Sequence, residues 1–428
     1  MSTGMDERTS GGGGTAPTWS PRAASWLSGT QFFVFGIAIG IMTVVWAKVV
    51  TALNLTDGVF GTAHLTLPVV GLVTLLSAKR LYRHFDHRAL GIAGQAAMIG
   101  MLLTLAISTS LLGLVVAFVL AGLASALIDT ATNSVFMEIE NHGGRDVMNV
   151  MYAINSGGTV ISALGAGALI SAGVDYRWVV TGCAVLLLPV LVASFLIAYP
   201  PVDRGAAAEE DQGEQVGTRV LMRNRLFRIV FIMTVLAIAV ESIVQVWSVI
   251  YVDQLLDAPI VVGGAAFALF SLMMMIGRLI NAWMVRRLGV RRSFLISGGG
   301  TAVSGVVLVV APSVALSVFA FVLMGIAIAG VQPTCLSASA RVAPSHTGLV
   351  AAAMMLPAYG AFIATPTVYG WLADLTSLNT AMVLVLLSGL GIGLLALDRA
   401  VGEADRAPEP DGEPATEPAT PTPASGTA

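Results

Sequence analysis

Apolar residues along this chain come in long runs, with polar residues gathered between them, rather than in the short alternation of a half-buried strand or surface helix. A helix needs about 20 apolar residues to cross the hydrocarbon of a bilayer. Runs of that kind predict spans at 29–50, 62–79, 88–108, 110–137, 146–173 and 177–199, then at 226–251, 260–285, 292–311, 313–338, 345–373 and 376–397. The second is short and carries Pro68. Between the two sets lies a stretch too polar to span. It opens with Pro200-Pro201, carries Glu209, Glu210, Asp211 and Glu214, and ends in Arg219, Arg223 and Arg225.

The pattern predicts an all-α membrane protein of twelve transmembrane helices in two pseudo-symmetric six-helix bundles. The expected organisation is a tail at 1–28, a first bundle at 29–199, a linker at 200–225, a second bundle at 226–397 and a tail at 398–428. Gly-rich and Pro/Glu/Ala/Thr-rich composition gives the tails too little apolar surface to fold, so both are expected to be disordered. The first tail lacks the charged, then apolar, then cleavable order of a signal peptide, so insertion is expected to rely on the first span.

Two copies of one design explain the even count. At an offset of 203 residues, FVLAGLASA at 118–126 meets FVLMGIAIA at 321–329. The same offset pairs Arg83 with Arg286, Arg88 with Arg291, Gly157 with Gly360 and Gly167 with Gly370. One offset serving two helix pairs and a basic loop implies a parallel repeat, with a solute site between the halves near the midplane.

Composition agrees. The chain of 428 residues is 56% hydrophobic and 11% charged, against about 25% charged in soluble domains. The net charge of −3 gives no basic surface for nucleic acid. Cys183 and Cys335 lie in apolar runs and read as small buried side chains. If both termini are cytoplasmic, nearly every Lys and Arg falls on the inner side, and only Lys48 and Arg177 fall outside. That asymmetry fits the positive-inside rule and a multi-pass protein of the cell membrane.

Three stretches carry a family resemblance. Span four holds Ile128-Asp129-Thr130-Ala131-Thr132-Asn133, span five Asn155-Ser156-Gly157-Gly158, and span seven Glu241 followed by Trp247-Ser248 and Tyr251. Over roughly residues 29–397 the chain resembles the major facilitator superfamily, and within it the fucose-permease-like branch and its bacterial relatives. The resemblance implies a secondary transporter working by alternating access. The chain also departs from the pattern. The loop after span eight keeps Arg287-Leu288-Gly289 and Arg291-Arg292 but has Arg286 at the acid position; the first copy has Arg83 there and Asp86 at the glycine position. The acid that some sugar symporters carry in the first span is missing, so proton coupling is not carried over directly.

An ionisable side chain inside a span costs about 2.5–3.5 kcal/mol on insertion scales unless it finds a partner or water. Asp129 and Glu241 are therefore the candidates for proton coupling, each with a structural carboxylate as the competing reading. Asn133 lies one turn beyond Asp129 on the same face. Glu241, Gln245 and Ser248 share a face of span seven, with Tyr251 near it. Asn155 is an amide that wants several partners. Gln332 occupies the repeat position of Asp129. Asn133, Asn155, Gln245, Trp247, Tyr251 and Gln332 are the expected solute contacts, with an interfacial belt as the alternative for Trp247. Arg83, Arg88, Glu140, Arg145, Arg286 and Arg287 are expected to form gating loops. Lys48 is expected to snorkel, Arg278 to pin loops, and Gly157, Gly158, Gly165 and Gly167 to let helix 5 approach a neighbour.

No Walker loop supplies ATP drive, and neither a metal cluster nor a nucleophile with its base is visible, so neither a cofactor nor an enzymatic activity is expected. The expected partners are a small-molecule solute, the lipid bilayer and protons, for a monomer. Proton-coupled movement of a sugar or related metabolite leads. Proton-antiport efflux of amphipathic compounds is the alternative, with methionines such as Met273 to Met275 suiting a permissive pocket. A non-transporting receptor on the same fold is a third reading.

Overall fold

The computed structural model describes residues 20–77, 80–81, 84–143, 148–197, 218–310, 313–342 and 347–404. Twelve long helical segments carry it. The first six are α1 (21–52), α2 (57–76), α3 (87–107), α4 (111–143), α5 (148–171) and α6 (176–196). The second six are α7 (225–255), α8 (260–288), α9 (290–310), α10 (314–340), α11 (347–375) and α12 (378–396). Eleven of them are long and apolar enough to span a bilayer among the described residues, and α11, with 29 residues, is long enough to be the twelfth.

Side chains set where the helices begin. Ser20, Thr56, Asp86, Asp175 and Asn224 each accept a backbone N–H at the start of α1, α2, α3, α6 and α7. Each satisfies a donor that the first turn leaves orphaned. The Thr56 cap starts α2 well before the expected residue 62. The helix then breaks at Leu65, between Asp57–His64 and Thr66–Leu76. Pro68 accounts for the break, since it has no N–H to donate to the His64 carbonyl one turn back. α7 ends in a π turn, Tyr251–Leu255.

Gly289 is the whole connection between α8 and α9, at φ 86° and ψ 166°. Only glycine adopts that backbone freely. Gly289→Ala is expected to destabilise the fold by about 1–3 kcal/mol, read as a lowered melting temperature of the protein in detergent. An unchanged melting point would show that the turn carries no strain for alanine.

The 203-residue offset reappears in the contacts. Among the described residues, Asn54 and Asp257 are the non-glycine residues with positive φ, at 49° and 47°. A Cβ added to Gly61 would lie 2.6 Å from the Pro366 carbonyl, and one on Gly264 would lie 2.7 Å from the Ala163 carbonyl. Gly370 packs on Asp57 and Gly167 on Ile260 and Val261. Arg88 donates to the Ser194 and Phe195 carbonyls at the end of α6, while Arg291 donates to the Leu397 carbonyl after α12. In each case the second contact is the first displaced by 203 residues at both partners.

Those glycines are where the halves meet. α2 packs on α11, α5 on α8, and α1 on α7. The polar ties between halves include Lys48 Nζ to Asp253 Oδ1 at 3.3 Å and Gly58 N–H to Asp374 Oδ2 at 2.9 Å. Thr367 Oγ1 donates to the Gly61 carbonyl and Trp371 Nε1 to Thr62 Oγ1. All of these lie at the ends of the helices away from the 200–225 linker, here termed the far face. Lys48 therefore does not snorkel: its ammonium reaches a carboxylate of the other half. At the linker face, Arg225 holds Asp398 at 2.7 Å. The Ala400 N–H and this guanidinium keep the Asp398 carboxyl below its usual range.

Candidate functional site

Between the halves, polar side chains of α4 and α5 lie near those of α8 and α11. On α4, Asn133 Nδ2 donates to Asp129 Oδ1 at 3.0 Å. Tyr152 of α5 and Tyr359 of α11 are within electrostatic reach of Asp129, and Tyr152 also neighbours Asn133 and Arg278. On α7, Glu241 faces Arg278 of α8. Arg278 and Gln332 line a cavity of about 210 Å³ with Thr234, Met354 and Met355. Asp129, Asn133 and Tyr152 of one half are thus gathered with Arg278 and Tyr359 of the other, and Glu241 and Gln332 sit beside Arg278. The expectation that Arg278 pins loops is corrected, because Arg278 lies on a cavity wall and faces the Glu241 carboxylate. The signal was present in the sequence: a cation in a span calls for a partner, and two acids were available.

A second cavity, of about 220 Å³, lies further towards the far face and is mostly apolar. Phe35, Met42, Trp46, Met98, Met101 and Phe362 form much of its wall. Four polar side chains reach it: Thr43, His64, Ser125 and Gln245. Thr43 and Ser125 are spent on their own helices, donating to the Ile39 and Ala121 carbonyls. His64 is 6% exposed and packs among aromatic rings, edge-on to Phe118 at 5.1 Å and to Trp46 at 6.5 Å. Its Nδ1 is buried without a hydrogen-bond partner. Leaving such a group unsatisfied costs about 1–3 kcal/mol. His64 was no candidate in the sequence, since the expected second span opened only at 62 and placed it at a span end.

Two helices link the apolar cavity to the acids. Ser125 and Asp129 are four residues apart on α4, as are Gln245 and Glu241 on α7, so each pair shares a face one turn apart.

Other expected contacts have different places. Asn155 Nδ2 donates to the Phe32 carbonyl at 2.7 Å and so ties α5 to α1. Trp247 is fully buried in the far-face seal, 4.9 Å from the Tyr369 ring and edge-on to Phe60 at 5.6 Å. It forms no part of either cavity and does not sit in an interfacial belt. Tyr251 is buried too, donating to the Leu308 carbonyl at 2.8 Å. Arg286 and Arg287 are exposed in the last turn of α8, where cations complement the helix dipole. Arg83 and Arg145 lie outside the described residues, as does the side chain of Glu140. Of the helix 5 glycines, Gly158 approaches Phe33 and Gly167 approaches Val261, whereas Gly157 and Gly165 face open space. Cys183 and Cys335 are free and buried.

Known proteins share this architecture. An uncharacterised MFS-type transporter of Yersinia pestis is 24% identical over 357 residues, covering 82% of this chain and 89% of its own. An uncharacterised transporter of Sinorhizobium fredii is 28% identical over 371 residues, covering 83% and 94%. Among solved structures, the nucleoside transporter NupG superposes with a TM-score of 0.72 at 12% identity, covering 91% of this chain and 99% of that one. A bacterial homologue of the human lysosomal transporter Spinster, inward-facing and unoccupied, gives 0.70 at 13% identity, covering 91% and 99%. These likenesses show the fold. The family profile for the Major Facilitator Superfamily matches residues 23–359 and 230–424, and with most of its length so matched the chain belongs to the Major Facilitator Superfamily.

Proposed function

We propose that this protein moves a small solute across the cell membrane by rocking its two halves about the cavity between them, with proton movement through Asp129 and Glu241. The observation that carries this reading is the meeting of carboxylates, a guanidinium and tyrosines from both halves inside the spans. Burying such groups is costly unless they bind or carry something. Charge on Asp129 is supported by Asn133, and charge on Glu241 by Arg278. A proton taken up by either acid, or a solute group placed between them, would change which half each prefers to face. With both termini and the linker in the cytoplasm, as the Lys and Arg distribution supports, the far-face seal is the extracellular one. The protein acts as a monomer, because each chain holds a complete cavity.

The test is flux in proteoliposomes carrying a pH-sensitive dye. Addition of a transported solute is expected to change lumenal pH, and an imposed pH gradient to concentrate that solute. Solute flux indifferent to pH gradients would remove the proton from the mechanism. A second reading, export of amphipathic compounds, is favoured by the apolar wall of Phe35, Met42, Met98 and Met101. A deletion strain hypersensitive to such compounds would support it over uptake.

A further inference from the structure

The mechanism above uses the charged cavity and leaves the apolar one without a task. Its wall carries two polar side chains that make no hydrogen bond among the described residues, His64 from one half and Gln245 from the other. On its far-face side His64 packs against the Phe60 ring at 6.2 Å, and Trp247 is edge-on to Phe60 in turn. His64 lines the cavity, so a guest seated there would meet its ring. Thr43 and Ser125, already bonded to backbone, leave His64 and Gln245 as the polar groups that a guest would meet. A polyol cannot satisfy its hydroxyls against phenylalanine, methionine and tryptophan walls, whereas a flat apolar body fits them.

We propose that the apolar cavity seats the ring body of the transported solute, and that His64 and Gln245 are specificity-determining contacts for one hydrogen-bonding group on that ring. The solute class is then an aromatic or heteroaromatic compound with its charged or more polar end towards Asp129, one helical turn from Ser125 on α4. The assignment rests on the transport reading, but binding and flux test the two separately.

The experiment is isothermal titration of the full chain in detergent with four probes: naphthalene, isoquinoline, indole and D-glucose. Isoquinoline offers an acceptor and indole a donor, so either imidazole tautomer finds a match. At least one of these is expected to bind about tenfold more tightly than naphthalene, which is about 1.4 kcal/mol. His64→Leu should erase that preference and leave naphthalene binding unchanged, which also reports a folded variant. Should His64→Leu fail to fold, His64→Gln serves, retaining part of the preference through its amide. Equal affinity for the three ring compounds, a preference left undiminished in whichever variant folds, or binding of D-glucose alone would overturn the assignment. Ring preference without any flux would sink the transport reading and leave the cavity assignment standing. Flux without ring binding would do the reverse.

Discussion

Gly370→Ala is expected to hold the far face open and to lower solute flux by one to two orders of magnitude in a protein that still folds. An alanine Cβ there would lie 2.3 Å from the Asp57 carbonyl, closer than real contacts allow, and the obstacle is backbone. A flexible side chain could swing aside; a carbonyl held in the first turn of α2 cannot. Overpacking of this kind costs about 1–3 kcal/mol. Applied only to the state in which α2 and α11 touch, that cost shifts the equilibrium between the two faces by about 5- to 150-fold. The open state loses nothing, because α11 no longer meets α2 there.

The readout is maleimide labelling of a cysteine placed at Thr367, which donates to the Gly61 carbonyl inside the seal. Both native cysteines are buried, so the background is low. Labelling should rise in the Gly370→Ala protein and fall back in its absence. Gly157→Ala and Gly165→Ala, which meet nothing within 4 Å, are the matched controls and should transport normally. A Gly370→Ala protein with ordinary flux and an unlabelled Thr367→Cys site would show that helix contact at this point is not what closes the far face.

The sequence pattern carried the fold because lipid imposes a simple rule. Every backbone group in hydrocarbon must be satisfied within the helix, so length and apolarity alone mark a span. The repeat at 203 residues was legible for the same reason that the contacts obey it. Gly167 and Gly370 face crossing helices in equivalent places, and glycine cannot be exchanged there without a clash. What hydropathy misplaced was the second span. The Thr56 cap and the Pro68 break are local hydrogen-bond facts, and a hydropathy average does not see them. The error had a consequence, since it left His64 at the very end of the expected span.

The site was legible only in part. Asp129, Asn133, Glu241, Gln245 and Gln332 stand out as polar residues in apolar runs; Gln245 and Gln332 line the cavities, Glu241 faces Arg278, and Asp129 and Asn133 neighbour Tyr152. Trp247 and Tyr251 share the same helix and much the same pattern, yet both are buried in packing. Periodicity says which residues share a face of α7, but the face turns from a cavity to the α9 and α11 surfaces as the helix nears its far end. Nothing within one helix records that change of neighbour. The tie that Asn155 makes is hidden for a related reason: the carbonyl it serves is 123 positions away, on α1.

Asp129→Asn is expected to abolish concentrative transport while leaving exchange of solute down its own gradient. The substitution conserves shape, and an amide can still pair with Asn133, so packing around α4 changes little. What it removes is the one group of that pair able to take up and release a proton. One pH unit stores about 1.4 kcal/mol per proton, enough to hold about a tenfold solute gradient across the vesicle for each proton coupled. In the Asp129→Asn protein that ratio should collapse to one, with the rate of solute exchange within about a factor of three of the original. Glu241→Gln makes a useful contrast, since it leaves Arg278 facing no carboxylate on α7. Loss of the partner there should weaken solute binding as well as coupling, because an unpaired guanidinium in a span is itself destabilising. If the Asp129→Asn protein still concentrated solute tenfold on a one-unit gradient, the carboxylate on α4 would be a structural group held by Asn133. The coupling would then have to pass through Glu241 and Arg278, and the two halves would divide the work differently: hydrogen bonding on the α4 side and charge on the α7 side.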